Sequence, residues 1–201
     1  MDPPVAPPGR KSGPARSPGR RRAVFLDRDG TLNPDLHYLS EPERLELLSG
    51  VTQGIRWLKA HDFLVICVTN QSGIERGLYS ESDVEAIHRR LNQRLATGGA
   101  SVDAFYYCPH APERGCSCRK PGSLLFERAR EEFSVDFGSS AIVGDRSLDV
   151  QVGERLGFLT AFVPERGHER PAEEEVDRSG ITPDIRAGSF LGAVARLLAR
   201  G

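Results

Sequence analysis

The chain has 201 residues, of which 38% are hydrophobic and 27% charged, and these values are typical of a soluble globular protein. Its 27 basic and 28 acidic residues nearly cancel, so no overall field draws it to nucleic acid or to a membrane. No apolar run approaches the roughly 20 residues that span a bilayer, and no apolar signal-peptide core lies near the N-terminus. We therefore expect a cytoplasmic protein with no nucleic-acid or membrane partner.

Residues 1–22 differ in composition from the rest of the chain. They consist mainly of Pro, Gly, Ser and Arg, and six basic residues against Asp2 give this segment a charge of +5. Such a segment cannot bury enough apolar surface to offset its ordering entropy. We expect a disordered basic tail at 1–22, followed by one domain at 23–201. A solvated extension or a mis-assigned start is favoured over a nucleic-acid or targeting arm, because no aromatic residue is interleaved with the charge.

The first apolar run ends abruptly in two carboxylates. Residues 23–26 read Ala-Val-Phe-Leu, and Asp27, Asp29, Gly30 and Thr31 follow. The run predicts a buried strand, and a parallel strand of an open α/β sheet delivers its last residues to the crevice where ligands bind. Two carboxylates there favour a hard cation such as Mg²⁺. The alternative is an acidic Asp-Gly turn with no ligand.

The next segment, residues 32–39, is a polar loop that leaves the strand end directly and should lie over the crevice. Asp35, His37 and Tyr38 are candidate contacts for a polyol substrate. The alternative is a surface loop that leads to a helix start at residues 40–43, where Ser, Glu, Pro and Glu form a pattern similar to a capping box.

A helix from Val51 to about His61 precedes a second buried strand at residues 63–70. This strand ends in the run Thr69-Asn70-Gln71-Ser72-Gly73, where a hydroxyl, backbone amides and a glycine suit phosphate oxygens. A plain strand-to-turn transition would look similar. Residues 80–83 predict the N-cap of a helix that carries Val84, Ile87, Leu91 and Leu95 and ends at Gly98-Gly99.

The third strand, at residues 102–107, runs into a cluster of possible metal ligands: Cys108, His110, Cys116 and Cys118. Three cysteines and one histidine fit a structural tetrahedral zinc site, whose four protein ligands leave no open position. The alternatives are reduced thiols in a polar loop and an iron–sulfur cluster. Arg119 and Lys120 follow at once, and a lysine at a phosphate site would offset charge on the transferring group.

The remaining chain continues the alternation of strands and helices. We expect a helix at 125–133, a strand at 140–145, a short helix ending at Gly157, a strand at 160–163, a polar loop over 164–180 and a terminal helix at 190–198. Five strands alternating with five helices predict an α/β fold with a doubly wound, mostly parallel, five-stranded sheet.

Four motifs at the strand ends resemble those of the haloacid dehalogenase (HAD) superfamily: Asp27-Arg28-Asp29-Gly30-Thr31, Thr69-Asn70-Gln71-Ser72-Gly73, Arg119-Lys120-Pro121-Gly122 and Gly144-Asp145-Arg146-Ser147-Leu148-Asp149. The resemblance implies a Rossmann-like core in which Asp27 is the nucleophile and Asp29 the general acid/base. It further implies that Thr69 and Lys120 hold phosphate oxygens and that Asp27, Asp29 and Asp145 bind Mg²⁺. Asp149 would orient Lys120 or Arg146, or else it is only a favourable charge in the first turn of a helix.

No gap between the motifs has room for an inserted cap domain. A capless core with this zinc-type loop resembles the D-glycero-D-manno-heptose 1,7-bisphosphate 7-phosphatase family, with histidinol-phosphate phosphatase as the alternative. The resemblance implies a small phosphorylated sugar substrate, bound by a monomer. Its implied contacts are Asp35, Leu36, His37, Tyr38, Asn70, Gln71, Ser72, Arg119 and Arg146.

Overall fold

Apolar runs of four to seven residues form the centre of the molecule. The structure is a computed structural model that describes residues 19–200, so most of the predicted tail, residues 1–18, lies outside the described residues. The strands are β1 (Ala23–Leu26), β2 (Leu64–Asn70), β3 (Ala104–Cys108), β4 (Ala141–Gly144), β5 (Leu159–Phe162) and β6 (Ile185–Arg186). The helices are α1 (Val51–Ala60), α2 (Glu81–Ala96), α3 (Leu124–Phe133), α4 (Ser147–Leu156), α5 (Glu169–Ser179) and α6 (Phe190–Arg200).

The strands form one parallel sheet in the order β3-β2-β1-β4-β5-β6. The chain moves outward from β1 through β2 to β3 and then returns to the other side of β1 at β4. This reversal opens a crevice at the carboxyl ends of the strands next to β1. Leu26 pairs with Cys67 on one side and with Val143 on the other, so β1 and β4 end near the same level, whereas β2 continues three residues further, to Asn70.

The sheet is buried on both faces, which explains why its strands read as continuous apolar runs. Alternate residues of β1 enter different cores, because successive side chains of a strand point to opposite faces. Val24 and Leu26 pack with α1, α2 and α6, whereas Ala23 and Phe25 pack with α3 and α4. The ring of Phe25 lies 5.1 Å from that of Phe126 and 5.0 Å from that of Phe158.

The helix signals that the sequence gives most clearly are confirmed. Ser80 and Asp83 form a capping box at the start of α2, and Gly157 ends α4 in the left-handed conformation with φ of 76°. The capping pattern at residues 40–43 produces only a three-residue 3-10 turn, Pro42–Arg44. Its Pro-Glu-Arg sequence places no buried residue against the core, so nothing extends the turn into a helix.

Two elements were not predicted. The prediction of a loop over 164–180 is wrong, because Glu169–Ser179 form α5. This helix buries only Ala172 and Val176, so its charged residues obscure the helical period. The sheet also has a sixth strand, the two-residue β6, which is too short to show a period. Among residues 19–200, no helix has both the length and the apolar character needed to cross a membrane.

Candidate active site

The carboxyl edge of the sheet opens into a polar cavity of about 300 Å³. Nearly all of the predicted catalytic and substrate-contact residues line it: Asp27, Asp29, Asp35, His37, Tyr38, Thr69, Asn70, Gln71, Ser72, Arg119, Lys120, Asp145 and Arg146. Tyr79, Leu148 and Asp149 complete the lining. Leu36 is 37% exposed and lies outside the lining, because the loop turns its side chain to solvent.

A lysine joins two carboxylates at the floor of the cavity. Lys120 Nζ donates to Asp27 Oδ1 over 2.9 Å and to Asp149 Oδ1 over 2.7 Å, and Lys120 is only 3% exposed. Burial alone would lower the pKa of Lys120, but the charges of Asp149 and Asp27 outweigh it and raise this pKa. Lys120 is therefore a fixed ammonium beside Asp27, and Asp149 is what holds it there.

The backbone next to Lys120 is also fixed. Asn70, at the end of β2, accepts from the Lys120 amide through Oδ1 over 3.0 Å and donates to the Lys120 carbonyl through Nδ2 over 3.3 Å. The predicted phosphate-binding end of β2 thus positions the lysine that follows the Cys/His loop.

Three carboxylates crowd one end of the cavity. Asp27, Asp145 and Asp149 each present an oxygen, and these oxygens lie within 4.8 Å of one another. Burial, the largest cause, raises the pKa of Asp27 to about 6 although Lys120 acts in the opposite direction. Burial and the charges of Asp27 and Asp149 raise the pKa of Asp145 well above its usual value. The cluster carries more negative charge than Lys120 alone offsets.

Gly30 allows Asp145 to reach this cluster. Gly30 has φ of 79°, and a Cβ at this position would lie 2.6 Å from Asp145 Cγ and closer still to Oδ2. Glycine is thus required both by the left-handed backbone and by the close approach. Thr31 Oγ1 donates to Asp145 Oδ1 at 3.5 Å, the long limit for such a bond.

Asp29 stands apart from the three-carboxylate cluster. Its carboxylate accepts from Arg28 Nη2 over 2.8 Å, from Asn33 Nδ2 over 2.9 Å and from Gln71 Nε2 over 2.9 Å. Burial would raise the pKa of Asp29, but the Arg28 charge and the hydrogen bonds from Asn33, Arg28 and Gln71 outweigh it, so the pKa is lowered. The structure holds Asp29 as an ionised, precisely oriented carboxylate.

Arg28 was not predicted to have a role, yet it is fully buried. Its guanidinium donates to the Asp29 carboxylate and also to Gln71 Oε1, the latter over 3.1 Å. His88 Nε2 of α2 lies 3.5 Å from Arg28 Nη1, and the His88 ring stacks on Phe105 at 4.4 Å. The sequence did contain a signal for this role, because Arg28 lies between two aspartates at a strand end and a buried charge requires a partner.

The loop over residues 33–39 forms one wall of the cavity. His37 and Tyr38 both have positive φ, of 48° and 64°. Asp35 Oδ1 accepts from the His37 amide over 3.0 Å, and the Asp35 amide donates to Glu165 Oε1 over 3.0 Å. Glu165, which follows β5, was not predicted to contribute.

Two arginines extend the positive charge from Lys120 toward the mouth of the cavity. Arg119 Nη1 donates to the His110 carbonyl over 3.2 Å. Arg146 is held by Glu175 of α5, through Nε at 3.0 Å and Nη2 at 2.8 Å. Glu175 was also missed, because α5 was expected to be a loop.

The predicted Cys/His cluster is assembled and can hold a metal ion. Its members are Cys108, His110, Cys116 and Cys118, and their Sγ and Nδ1 atoms lie 3.2 to 3.6 Å apart where they contact. The three thiols are not joined by a disulfide. Glu75 anchors the loop by accepting from the Ala111 amide and from Arg114.

Comparison with known proteins identifies the family. A HAD-hydrolase-like family model matches residues 117–200. The D-glycero-alpha-D-manno-heptose-1,7-bisphosphate 7-phosphatase of Photorhabdus laumondii is 33% identical over 171 residues, covering 82% of this chain and 92% of that protein. The D-glycero-beta-D-manno-heptose-1,7-bisphosphate 7-phosphatase of Escherichia coli is 36% identical over 160 residues, covering 76% of this chain and 84% of that protein.

Solved structures give the same result for the fold. The D,D-heptose 1,7-bisphosphate phosphatase of B. bronchiseptica, complexed with magnesium and phosphate, superposes with a TM-score of 0.79 at 31% identity, over 90% of this chain and 99% of that one. The Burkholderia thailandensis enzyme of the same name gives 0.66 at 25% identity, over 89% and 99%. By its identity to curated relatives over most of their length, the chain belongs to the heptose 1,7-bisphosphate 7-phosphatase family of HAD-like hydrolases.

Proposed function

We propose that this protein removes the 7-phosphate of D-glycero-D-manno-heptose 1,7-bisphosphate through a phosphoaspartate formed at Asp27. The observation that carries the proposal is the placement of Asp27 within 2.9 Å of the buried Lys120 ammonium, at the floor of a polar cavity. Phosphoryl transfer depends mainly on positioning and electrostatic stabilisation, and these residues supply both.

A divalent cation fits the carboxylate cluster. The raised pKa values of Asp27 and Asp145 reflect buried negative charge that a cation would offset, and oxygen-only donors suit Mg²⁺. We propose that Asp27, Asp145 and Asp29 would hold Mg²⁺; Asp27 and Asp145 belong to the carboxylate cluster, and Asp29 lines the same cavity with its carboxylate held by Arg28, Asn33 and Gln71. When bound, Mg²⁺ would neutralise charge on the phosphate and orient it.

In the first step, an oxygen of Asp27 attacks the phosphorus in line, and the bond to the sugar oxygen breaks. Asp29 donates a proton to the departing alkoxide. Asp29 is ionised in the free protein, but an incoming phosphate places a second negative charge beside it and so favours uptake of a proton. In the second step, Asp29 removes a proton from water, which attacks the phosphorus and releases Asp27. Thr69 and Lys120 hold the other phosphate oxygens throughout.

The Cys/His cluster fits a structural zinc ion. A tetrahedral ion with Zn–S bonds of about 2.3 Å separates neighbouring sulfur ligands by about 3.8 Å, slightly more than the 3.2 to 3.6 Å between the ligand atoms here. We propose that zinc stabilises the loop that delivers Arg119 and Lys120 to the cavity.

The substrate class follows from the rim. Arg119 and Arg146 lie beyond Lys120 in the cavity lining and suit a second phosphate, while Asp35 and His37 offer polar groups to a polyol. The relatives support the sugar bisphosphate, since both are named as heptose-1,7-bisphosphate 7-phosphatases, one for the alpha and one for the beta anomer.

The proposal is tested by measuring phosphate release from heptose 1,7-bisphosphate with an Asp27→Asn variant. We expect activity to be abolished, because an amide oxygen is a poor nucleophile. The matched control is Asp62→Asn, an exposed residue with φ of 59° at the opposite end of the sheet, where asparagine tolerates the same backbone. Full activity in Asp27→Asn would overturn the mechanism.

A further inference from the structure

Glu175 uses both of its carboxylate oxygens to hold the entrance of the cavity. Oε2 accepts from Arg146 Nε over 3.0 Å and from Nη2 over 2.8 Å. Oε1 accepts from the Ser147 amide over 3.1 Å and from the Ser147 hydroxyl over 2.6 Å. The guanidinium is therefore held by one edge, with Nε and Nη2 both directed at the single oxygen Oε2.

This contact fixes a side chain that would otherwise be mobile. The Arg146 side chain is 52% exposed, whereas that of Glu175 is 28% exposed. A long, half-exposed arginine loses much rotamer freedom when a ligand orders it. Holding it in place before the ligand arrives reduces that loss on binding.

Glu175 carries its charge at neutral pH. Burial would raise its pKa, but hydrogen bonds from Ser147 and Arg146 outweigh burial and lower it. Two opposite effects on an anionic ligand follow. The fixed geometry of Arg146 favours binding, whereas the negative charge of Glu175 reduces the attraction of the guanidinium. The half-exposed setting screens the charge effect, but it does not remove the effect of geometry.

We propose that Glu175 is a positioning residue that presets Arg146 for the phosphate of the substrate that is not hydrolysed, and so contributes to selection of a sugar bisphosphate. This inference rests on the proposed function, since it assigns Arg146 to the second phosphate. It gives α5 a role in substrate selection, although none of the four motifs lies in that helix.

The test compares Glu175→Gln with Glu174→Gln, its neighbour on α5. Glu174 is 57% exposed and pairs only with Arg170 at 3.0 Å among the ion pairs of residues 19–200, so its replacement makes the same chemical change away from the cavity. KM and kcat are measured for heptose 1,7-bisphosphate and for p-nitrophenyl phosphate, which has a single phosphate. Thermal unfolding of each variant reports whether the fold is intact.

We expect Glu175→Gln to raise KM for the bisphosphate roughly tenfold, the effect of about one charge-assisted hydrogen bond, with kcat within about twofold of the parent. Selectivity for the bisphosphate over p-nitrophenyl phosphate should fall with it, and Glu174→Gln should match the parent. An unchanged or lower KM would show that charge outweighs geometry and would overturn the proposal. Equal losses on both substrates would show a structural role and would overturn it as well.

A double-mutant cycle with Arg146→Ala gives a second readout. If Glu175 acts through Arg146, adding Glu175→Gln to Arg146→Ala should raise KM no further, whereas additive effects would contradict the proposal. A parent that hydrolyses histidinol phosphate but not the heptose bisphosphate would refute the proposed substrate. In that case the double-mutant cycle is repeated with histidinol phosphate, which has no second phosphate. Coupling between Glu175 and Arg146 in the KM for this substrate would overturn the role proposed for Glu175.

Discussion

Replacing Gly30 by alanine tests whether the position of Asp145 determines activity. A Cβ at residue 30 would lie 2.6 Å from Asp145 Cγ and closer still to Oδ2, whereas ordinary contacts begin at 3.4 Å, so the carboxyl group must retreat by at least about 0.8 Å. A misplacement of about 1 Å among catalytic groups can cost about 100-fold in rate. The positive φ of 79° adds a backbone penalty of about 1 to 2 kcal/mol in stability.

Gly99→Ala is the matched control, because Gly99 has φ of 70° and nothing within 4 Å of a Cβ. Both variants should lose similar stability in denaturant unfolding, but only Gly30→Ala should lose about 100-fold in kcat/KM and require more Mg²⁺ for half-maximal activity. If Gly30→Ala keeps the activity and the Mg²⁺ requirement of Gly99→Ala, the placement of Asp145 does not limit the reaction and the reasoning is refuted.

Two further predictions concern stability. Burial and the Arg28 charge lower the pKa of His88 from 6.5 to about 3, so the folded state favours the neutral imidazole. The stability contributed by neutral His88 is fully present above pH 6.5 and is lost as the pH falls toward 3. Relative to His88→Phe, the parent should lose about 2 kcal/mol of unfolding free energy between pH 7.5 and pH 5. An equal change in unfolding free energy for the parent and for His88→Phe between these pH values, measured by denaturant unfolding, would contradict this prediction. Cys118→Ser should lower both bound zinc and Tm, because a structural zinc site contributes folding free energy, whereas Cys67→Ala, in β2 outside the cluster, should keep its zinc. Equal zinc content by atomic absorption in the two variants would argue against the site.

The sequence predicts the sheet well, because buried parallel strands are uninterrupted apolar runs that end at polar motifs. The second strand was expected at residues 63–70 and is observed at Leu64–Asn70. α5 and β6 escaped prediction for a physical reason. α5 is held by a few buried residues on one side and by polar contacts such as that of Glu175 with Ser147, and β6 has only two residues.

The site was predictable where residues follow a strand end and not where side chains meet across the fold. Asp27, Thr69, Lys120 and Asp145 were located by their motifs. Arg28 is buried against Asp29, and Glu175 pairs with Arg146 over a separation of 29 residues. Both contacts depend on tertiary packing, which a single sequence does not show. A position in a binding loop also does not fix the direction of a side chain, and Leu36 is 37% exposed and lies outside the cavity lining.

The most direct test of the central claim is Mg²⁺-dependent phosphate release from both anomers of heptose 1,7-bisphosphate, beside histidinol phosphate at equal concentration. We predict a preference of at least ~100-fold in kcat/KM for a heptose anomer, roughly 2.7 kcal/mol of transition-state discrimination. A preference for histidinol phosphate would contradict the proposed substrate, and the walls formed by Asp35, His37 and Arg146 would then require a different explanation.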